Sequence, residues 1–336
     1  MQVQQHIALA PYTTFKIGGP ARYFVVAETI EDVKQSLDFA RDQNLATLIL
    51  GGGSNVLISD QGFDGLVIKI EIKNGFTVDK ISVAASAGES WDELVEFCVG
   101  HDLWGIENLS GIPGTVGGAI VQNIGAYGAA LSQVLTLVAV YDTRDEEVKM
   151  LSVAECKFGY RGSIFKEEEG RYIILAATFR LSSSPTPNVS YKDLQARFND
   201  SSIDIKAIRA AVLEIRKAKF PDLSVEGTAG SFFKNPIVPL AEAKALQEKY
   251  PDLPLFEMPE TTDIKVPLGW FLDYKHGVID LRDVRVGGAR MFEKQFLVLV
   301  AERNTSARDV KELVNTVQKK VFEELKIKIE PEVKIV

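Results

Sequence analysis

Two glycine-rich stretches contain the residues whose types and spacing best suit an anionic ligand. The longer, residues 105–128, reads GIENLSGIPGTVGGAIVQNIGAYG, in which seven of 24 residues are glycine and only Glu107 is charged. The shorter, residues 51–55, reads GGGSN. Glycine permits positive φ angles and close approach of a backbone, and successive backbone N–H groups in such turns bind phosphates. The sequence leaves open the alternative that both stretches are tight structural turns.

The composition excludes several classes of partner. A net charge of -8 argues against non-specific nucleic-acid binding. Two cysteines far apart and three scattered histidines provide no spacing typical of a metal site. The chain starts without a signal-peptide pattern, and its apolar runs are only as long as strands. We therefore expect a cytoplasmic protein without a metal, a nucleic-acid partner or a membrane partner.

The elements around these stretches differ from those of a Rossmann fold. The GGGSN turn lies between predicted strands at 48–50 and 56–58, whereas a dinucleotide fingerprint requires a following helix. After the glycines of the longer stretch, the segment AIVQN (119–123) also has the pattern of a strand. Further along, we predict a loop at 182–204 that carries Tyr191, and a final strand at 327–336.

Three further segments carry side chains with chemical potential. Residues 230–236, GSFFKNP, combine a hydroxyl, a cation, an amide and aromatic rings. Residues 156–165, CKFGYRGSIF, lie between two long predicted strands. The predicted helix 205–219 ends in RKAK, which is either a local anion site or a solvated basic face, and the following Phe-Pro-Asp (220–222) indicates a domain boundary.

Six motifs in order give the chain a resemblance to the UDP-N-acetylenolpyruvoylglucosamine reductases, flavoenzymes of bacterial cell-wall precursor synthesis. The motifs are FKIGGPA, GGGSNVL, IPGTVGGAIVQNIGAYG, FGYRGSIF, AGSFFKNP and EPEV. The resemblance implies an α+β fold: an FAD-binding fold of the vanillyl-alcohol-oxidase/PCMH type with two α+β subdomains, followed by a C-terminal α+β substrate-binding domain. The implied boundaries are 1–70 and 71–218 for the FAD-binding subdomains, the second with the Tyr191 loop of the family's longer type, 219–320 for the substrate domain, and 321–336 for a C-terminal strand that returns to the active-site region.

The resemblance also implies non-covalently bound FAD, because His6 and His101 lack the context for covalent attachment. The residues that match the family's flavin-binding segments are Gly51, Gly52, Gly53, Ser54, Asn55, Ile112, Pro113, Gly114, Thr115, Gly117, Gly118, Asn123 and Gly125. NADPH is the implied co-substrate, and UDP-N-acetylglucosamine enolpyruvate is the implied substrate of a monomeric enzyme.

In the implied reaction, NADPH reduces FAD, and the reduced flavin passes hydride to the terminal carbon of the enol ether. Arg161 matches the residue that holds the substrate carboxylate, and its planar fork suits that task. Ser231 matches the proton donor, which Lys234 or Lys219 could assist, and Glu332 matches an activating acid. Without the resemblance, Arg161 could be a structural arginine, Ser231 a turn residue, and Glu332 a solvated glutamate. Glu330 is assigned a structural role.

Five residues match positions that hold the substrate's sugar, diphosphate or carboxylate: Tyr160, Tyr191, Lys219, Asn235 and Gln295. The segment before Gln295 lacks the usual His-Pro, which weakens that match. Two other functions remain possible from the sequence. One is another FAD-dependent dehydrogenase or oxidase of the same fold, and the other is a non-catalytic flavin-binding module.

Overall fold

The chain forms two compact units. A computed structural model describes residues 1–198, 203–258 and 261–336. Unit 1 comprises Met1–Ala8, Pro20–Ser54 and Gly62–Ala218. Unit 2 comprises Leu9–Gly19, Asn55–Gln61 and Lys219–Val336. Two short N-terminal segments therefore belong to the C-terminal unit. The predicted four-part division of the chain stays a prediction.

Strands and helices are mixed along the whole chain. The strands are β1 (Gln4–Ala8), β2 (Pro20–Ala27), β3 (Ala46–Leu50), β4 (Val56–Leu57), β5 (Phe63–Ile70), β6 (Phe76–Asp79), β7 (Ser82–Ser86), β8 (Gly125–Ala126), β9 (Ala129–Ala130), β10 (Leu135–Asp142), β11 (Glu147–Ser152), β12 (Tyr172–Arg180), β13 (Ile237–Val238), β14 (Phe256–Glu257), β15 (Ile264–Lys265), β16 (Arg285–Val286), β17 (Ala289–Met291), β18 (Leu299–Ala301) and β19 (Lys334–Ile335). The helices are α1 (Ile30–Asp42), α2 (Trp91–Gly100), α3 (Val116–Val121), α4 (Ile164–Glu167), α5 (Lys192–Gln195), α6 (Ile205–Lys219), α7 (Leu240–Lys249), α8 (Leu268–Leu272) and α9 (Ala307–Leu325).

Unit 1 contains two larger sheets that share one apolar core. The first has the order β1-β2-β5-β3, with β5 parallel to both β2 and β3. The second is antiparallel, in the order β11-β10-β12-β7-β6. Trp91 is fully buried, and its indole N–H donates to the carbonyl of Leu109 at 3.0 Å. This bond attaches α2 to the start of the glycine-rich stretch 105–128.

Local sequence signals explain several helix starts. Thr29 and Asp32 form a capping box at α1, and Ser306 and Asp309 form one at α9. In each box, a hydroxyl accepts from a backbone N–H of the first turn, which would otherwise lack a helical partner. The Ser90 hydroxyl accepts from the N–H of Glu93 at the start of α2. These residue patterns account for the starts of the three helices.

Unit 2 is built around α9. Two three-stranded sheets, β13-β15-β14 and β16-β17-β18, accompany it, and β19 pairs in parallel with β4. The apolar face of α9 is buried, as its periodicity predicts: Val310, Leu313, Val314, Val317, Val321 and Leu325. The pairing with β4 explains why residues 55–61 belong to this unit despite their position early in the chain.

Three expectations about local structure need correction. The segment AIVQN is not a strand, because Thr115 caps α3 and the helix runs through Val121. The C-terminal strand 321–336 is much shorter than predicted, since α9 continues to Leu325 and only β19 is regular. Pro331, which has no N–H to donate, lies between them. The predicted loop 182–204 contains the one-turn helix α5, and its residues 199–202 lie outside the described residues.

Within the described ranges, no helix is both long enough and apolar enough to span a bilayer.

Candidate functional site

Residues 51–54 and 112–118 pack so closely that Gly51 and Gly52 have no room for a side chain. A Cβ on Gly52 would lie 2.6 Å from Cα of Gly114, and one on Gly51 would lie 2.7 Å from Oγ1 of Thr115. Gly114 has a φ of 118°, which an L-residue rarely adopts. Packing between the two turns therefore requires glycine at Gly51 and Gly52, and the φ angle favours glycine at Gly114. We call residues 51–54 and 112–118 the glycine cradle.

Side-chain hydroxyls complete the glycine cradle. The Ser54 hydroxyl donates to the carbonyl of Pro113 at 3.0 Å, which ties the two turns together. Thr115 accepts from the N–H of Gly118 at 3.3 Å and so starts α3. Gly117 lies against Ala87, where an added Cβ would be 3.2 Å from the Ala87 carbonyl oxygen. Glycine at these positions is therefore explained by packing within the chain, which is the structural alternative that the sequence left open.

A half-buried ion pair holds Gly111, the residue just before the second turn of the cradle. The Asp92 carboxylate accepts from both terminal nitrogens of Arg209, at 2.7 and 3.0 Å, and from the N–H of Gly111 at 2.6 Å. Arg216 donates to the Gly111 carbonyl at 2.9 Å. Burial alone would raise the pKa of Asp92, but the hydrogen bonds from Arg209 and Gly111 lower it overall. Gly111, with a φ of 69°, is thus held on both sides.

Arg161 lies at the tip of a tight turn, residues 159–162, which we call the arginine turn. Gly159 and Gly162 exchange backbone hydrogen bonds of 3.1 and 3.3 Å across it. Arg161 has a φ of 55°, and its Nη2 donates to the carbonyl of Gly125 at 3.0 Å. Its guanidinium carbon lies 5.8 Å from the ring centre of Tyr160. The predicted carboxylate-binding arginine is therefore fixed by the last part of the glycine-rich stretch.

Two tyrosines of unit 1 form an edge-to-face pair. The ring centres of Tyr127 and Tyr191 are 5.3 Å apart, at an interplanar angle of 87°. Tyr191 is 44% exposed, whereas Tyr127 is buried. Leu194, fully buried, anchors the segment that carries Tyr191. Sequence reasoning missed Tyr127, although its place beside Gly125 and Gly128 in the NIGAYG motif was a signal.

Two asparagines, also missed, connect the Tyr191 segment to the glycine-rich stretch. The buried Asn108 amide donates to the carbonyls of Tyr127 at 2.7 Å and of Asn188 at 2.8 Å. Asn188 in turn donates to the carbonyl of Gly128 at 3.0 Å. Both amides donate to backbone carbonyls, which every residue has. The sequence therefore does not indicate that the two asparagines are connected.

In unit 2, irregular backbone places Ser231 and Glu332 on adjacent segments. Phe232 donates to the Leu297 carbonyl at 2.7 Å, and its own carbonyl accepts from the Glu332 N–H at 2.7 Å. Ser231 forms an isolated antiparallel bridge with Val298. Both Ser231 and Glu332 are half-buried. Glu332 is therefore bonded to Phe232, the residue that follows Ser231. We call these hydrogen-bonded segments the Ser231–Glu332 ladder.

The other predicted residues of unit 2 surround this ladder. Lys234 lies 3.5 Å from the carboxylate of the exposed Glu330. The structural role assigned to Glu330 stays a prediction. Asn235 accepts from the N–H of Leu268 at 3.0 Å and thereby caps α8. Gln295 lies in the turn that leads to Val298, whose N–H donates to the Gln295 carbonyl at 2.9 Å.

Asn55 and Lys219 also belong to unit 2. The Asn55 amide donates to the carbonyl of Glu332 at 3.2 Å, and its own carbonyl accepts from Lys334 at 3.1 Å. The predicted flavin residue Asn55 is therefore bonded to the segment that carries a predicted catalytic residue. Lys219 is half-buried and is the last residue of α6.

Neither cysteine has the environment of a reactive thiol. Burial raises the pKa of Cys98 to about 12 and, with the charge of Glu155, that of Cys156 to about 11. Among the residues that the structure describes, no group of three His, Cys, Asp or Glu side chains could hold a metal ion.

The fold and the glycine cradle, taken with similarity to known proteins, identify the class of protein. Residues 21–151 match the FAD binding domain, so the chain is an FAD-dependent oxidoreductase of the α+β type predicted. Residues 222–336 match the C-terminal domain of UDP-N-acetylenolpyruvoylglucosamine reductase. The chain belongs to the UDP-N-acetylenolpyruvoylglucosamine reductase family.

The family assignment rests on similarity over the whole chain. The reductase of Neisseria gonorrhoeae is 39% identical over 96% of this chain and 94% of its own length. The Pseudomonas aeruginosa reductase is 35% identical over 99% and 98%. The crystal structure of the Thermus caldophilus reductase, 26% identical, matches with a TM-score of 0.71 over 100% of this chain and 99% of that one. The predicted family, fold class and FAD cofactor are confirmed.

Proposed function

We propose that this chain reduces UDP-N-acetylglucosamine enolpyruvate to UDP-N-acetylmuramate with NADPH, in peptidoglycan precursor synthesis. The observation that carries the proposal is similarity to reductases of that name over both units, with 39% identity in one case. The match to the Thermus caldophilus structure covers 100% of this chain, which includes the glycine cradle and the three proposed catalytic residues, Arg161, Ser231 and Glu332. We propose a monomeric, cytoplasmic enzyme with the four-part division 1–70, 71–218, 219–320 and 321–336.

The proposed flavin-binding residues include the glycine cradle. When bound, FAD would supply the hydride that the terminal carbon of the enol ether receives. The cradle would contribute backbone N–H groups and a surface free of Cβ atoms for the diphosphate. Gly53, with a φ of 63°, would keep the turn open between Gly52 and Ser54. Asn55, Asn123 and Gly125 complete the predicted set.

Arg161 is proposed to bind the substrate carboxylate. An enol ether is electron-rich, so the attached carboxylate must accept electron density as the terminal carbon is reduced. A guanidinium can stabilise this charge through two parallel hydrogen bonds. The fixed arginine turn supports the proposal, because a preorganised donor need not reorganise during the reaction.

Ser231 is proposed to donate the proton that completes the reaction. Hydride adds to the terminal carbon and the C=C bond becomes a single bond, so the carbon that bears the ether oxygen must take a proton. A serine hydroxyl is a weak acid and needs assistance, for which Lys234 and Lys219 remain the candidates. Glu332 is proposed to activate the substrate as a hydrogen-bonding acid near its carboxylate. Substrate positions are proposed for Tyr160, Tyr191, Lys219, Asn235 and Gln295.

A spectroscopic experiment with purified protein tests the function. The protein should be yellow and should release FAD on denaturation. Under anaerobic conditions, addition of NADPH should abolish the visible absorbance of the oxidised flavin. UDP-N-acetylglucosamine enolpyruvate should then restore that absorbance. Bleaching without restoration would favour another dehydrogenase of the same fold, and bound flavin without bleaching would favour a non-catalytic flavin module.

Replacement of Ser231 separates its role from general damage. In Ser231→Ala, flavin reduction by NADPH should remain near the wild-type rate, whereas reoxidation by the enolpyruvyl substrate should slow by about 100-fold or more, as expected for loss of general acid catalysis. Stopped-flow absorbance measures both half-reactions. Equal slowing of the two would contradict the proton-donor role.

A further inference from the structure

We infer that Asn123 is a positioning residue that acts on the substrate through Arg161, in place of the contact with FAD that its match to the family's flavin-binding segment implies. The inference rests on the proposed function, since it assigns the substrate carboxylate to Arg161. It names a residue of the glycine-rich stretch whose effect should appear in the substrate half-reaction.

The side chain of Asn123 is engaged by backbone at both ends. Its Nδ2 donates to the carbonyl of Gly159 at 3.1 Å, and its Oδ1 accepts from the N–H of Ser132 at 3.1 Å. Asn123 is 9% exposed, and its φ is 46°, a conformation that asparagine tolerates better than most residues. The amide therefore connects the glycine-rich stretch directly to the arginine turn.

The arginine turn needs such support because its conformation is strained. Arg161 has a φ of 55°, and a non-glycine residue persists there only when its surroundings determine it. Three bonds join this part of the chain to residues 121–125. They are Asn123 Nδ2 to the Gly159 carbonyl, Ser163 Oγ to the Val121 carbonyl at 2.6 Å, and Arg161 Nη2 to the Gly125 carbonyl.

The bonds flank the arginine on both sides of the turn. Gly159 precedes Arg161 by two residues, and the buried Ser163 follows it by two. Loss of either anchor should let the turn shift, and a misplacement of about 1 Å in a catalytic group can cost about 100-fold in rate. The contacts of the glycine cradle, Gly52 with Gly114 and Ser54 with Pro113, do not involve Asn123.

Two substitutions test the amide with little change of shape. Asn123→Asp tolerates the same φ and keeps an acceptor for Ser132, but it loses the donor to Gly159. Asn123→Gly removes both bonds without adding charge, and it also accepts a positive φ. Asn74→Asp is the matched control, because it makes the same amide-to-carboxylate change at an exposed residue.

Both Asn123 variants should slow flavin reoxidation by the enolpyruvyl substrate about 10- to 100-fold. Their rate of reduction by NADPH should stay within about twofold of wild type, as should the FAD affinity measured by reconstitution of apoprotein. Calorimetry should show weaker binding of the product, UDP-N-acetylmuramate, whose carboxylate Arg161 would hold. Asn74→Asp should match wild type throughout.

A double-mutant cycle decides whether Asn123 acts through Arg161. In an Arg161→Ala background, Asn123→Gly should slow reoxidation less than about twofold, because the group it positions is already absent. Independent, multiplicative effects would overturn the inference, as would lowered FAD affinity with normal reoxidation in Asn123→Gly. Failure of the wild-type enzyme to be reoxidised by this substrate would instead refute the proposed function.

Discussion

The glycine cradle of unit 1 and the Ser231–Glu332 ladder of unit 2 are built in different ways. In the cradle, positions such as Gly52 and Gly114 are fixed by the absence of a side chain, because their backbones lie too close for a Cβ. In the ladder, Ser231 and Glu332 are brought together by backbone hydrogen bonds of Phe232, to which the identities of the two side chains contribute nothing.

This difference predicts different sensitivities to substitution. At Gly52 of the cradle, even one added methyl group should disturb binding, since the nearest atoms belong to the backbone of Gly114 and Thr115 and cannot rotate away. In the ladder, small changes of side chain should leave the backbone in place and affect only chemistry. Gly111, just before the second turn of the cradle, is bonded to the charged side chains of Asp92 and Arg216. Beside the ladder, the charged residues Lys234 and Glu330 form an exposed pair instead.

The largest effect is expected for Gly52→Ala. Its Cβ would lie 2.6 Å from Cα of Gly114, so one backbone segment must move. Overpacking of this kind costs about 1–3 kcal/mol, and we expect FAD affinity to fall about 100-fold. Fluorescence titration of apoprotein with FAD measures it. The control is Gly100→Ala, which places a Cβ where no atom lies within 4 Å; equal FAD binding by both variants would contradict the close-packing argument.

An effect of similar size, but confined to one half-reaction, is expected in the ladder for Glu332→Ala compared with Glu330→Ala. Loss of one preorganised donor costs about 100-fold in rate, so Glu332→Ala, which removes the donor that a glutamine would retain, should slow substrate-dependent reoxidation by about that factor. FAD binding should be unchanged. Glu330 is exposed, and its alanine variant should retain wild-type rates. If stopped-flow traces show that Glu330→Ala is the slower variant, the assignment of the two glutamates is reversed.

The smallest effect concerns stability and depends on pH. The pKa of Asp92 is lowered in the folded state, so its carboxylate stabilises the protein above the unfolded pKa of about 4 and loses that contribution as pH falls through the folded value. Asp92→Asn should therefore lower the free energy of unfolding by about 1 kcal/mol at pH 7, and by less below about pH 4. Urea denaturation at several pH values measures the difference. A constant difference across the range would show that the ion pair with Arg209 is not its cause.

Much of the helical structure and the apolar face of α9 could be predicted from the sequence, because caps and periodicity act over a few residues. Thr29 with Asp32 and Ser306 with Asp309 are examples. The same local reasoning failed at AIVQN. A run of apolar residues is compatible with a strand, and the cap at Thr115, which starts α3 instead, was not recognised.

The sequence by itself determined the family, through six ordered motifs, and it marked the two glycine-rich turns of the cradle. Only the tertiary structure decided which polar groups meet. Asn123 is bonded to Gly159, 36 residues away, and Asn55 to Glu332, 277 residues away. Both bonds end on backbone carbonyls, which every residue carries. The position of the partner therefore depends on how the chain folds, and no pattern of residue types records it.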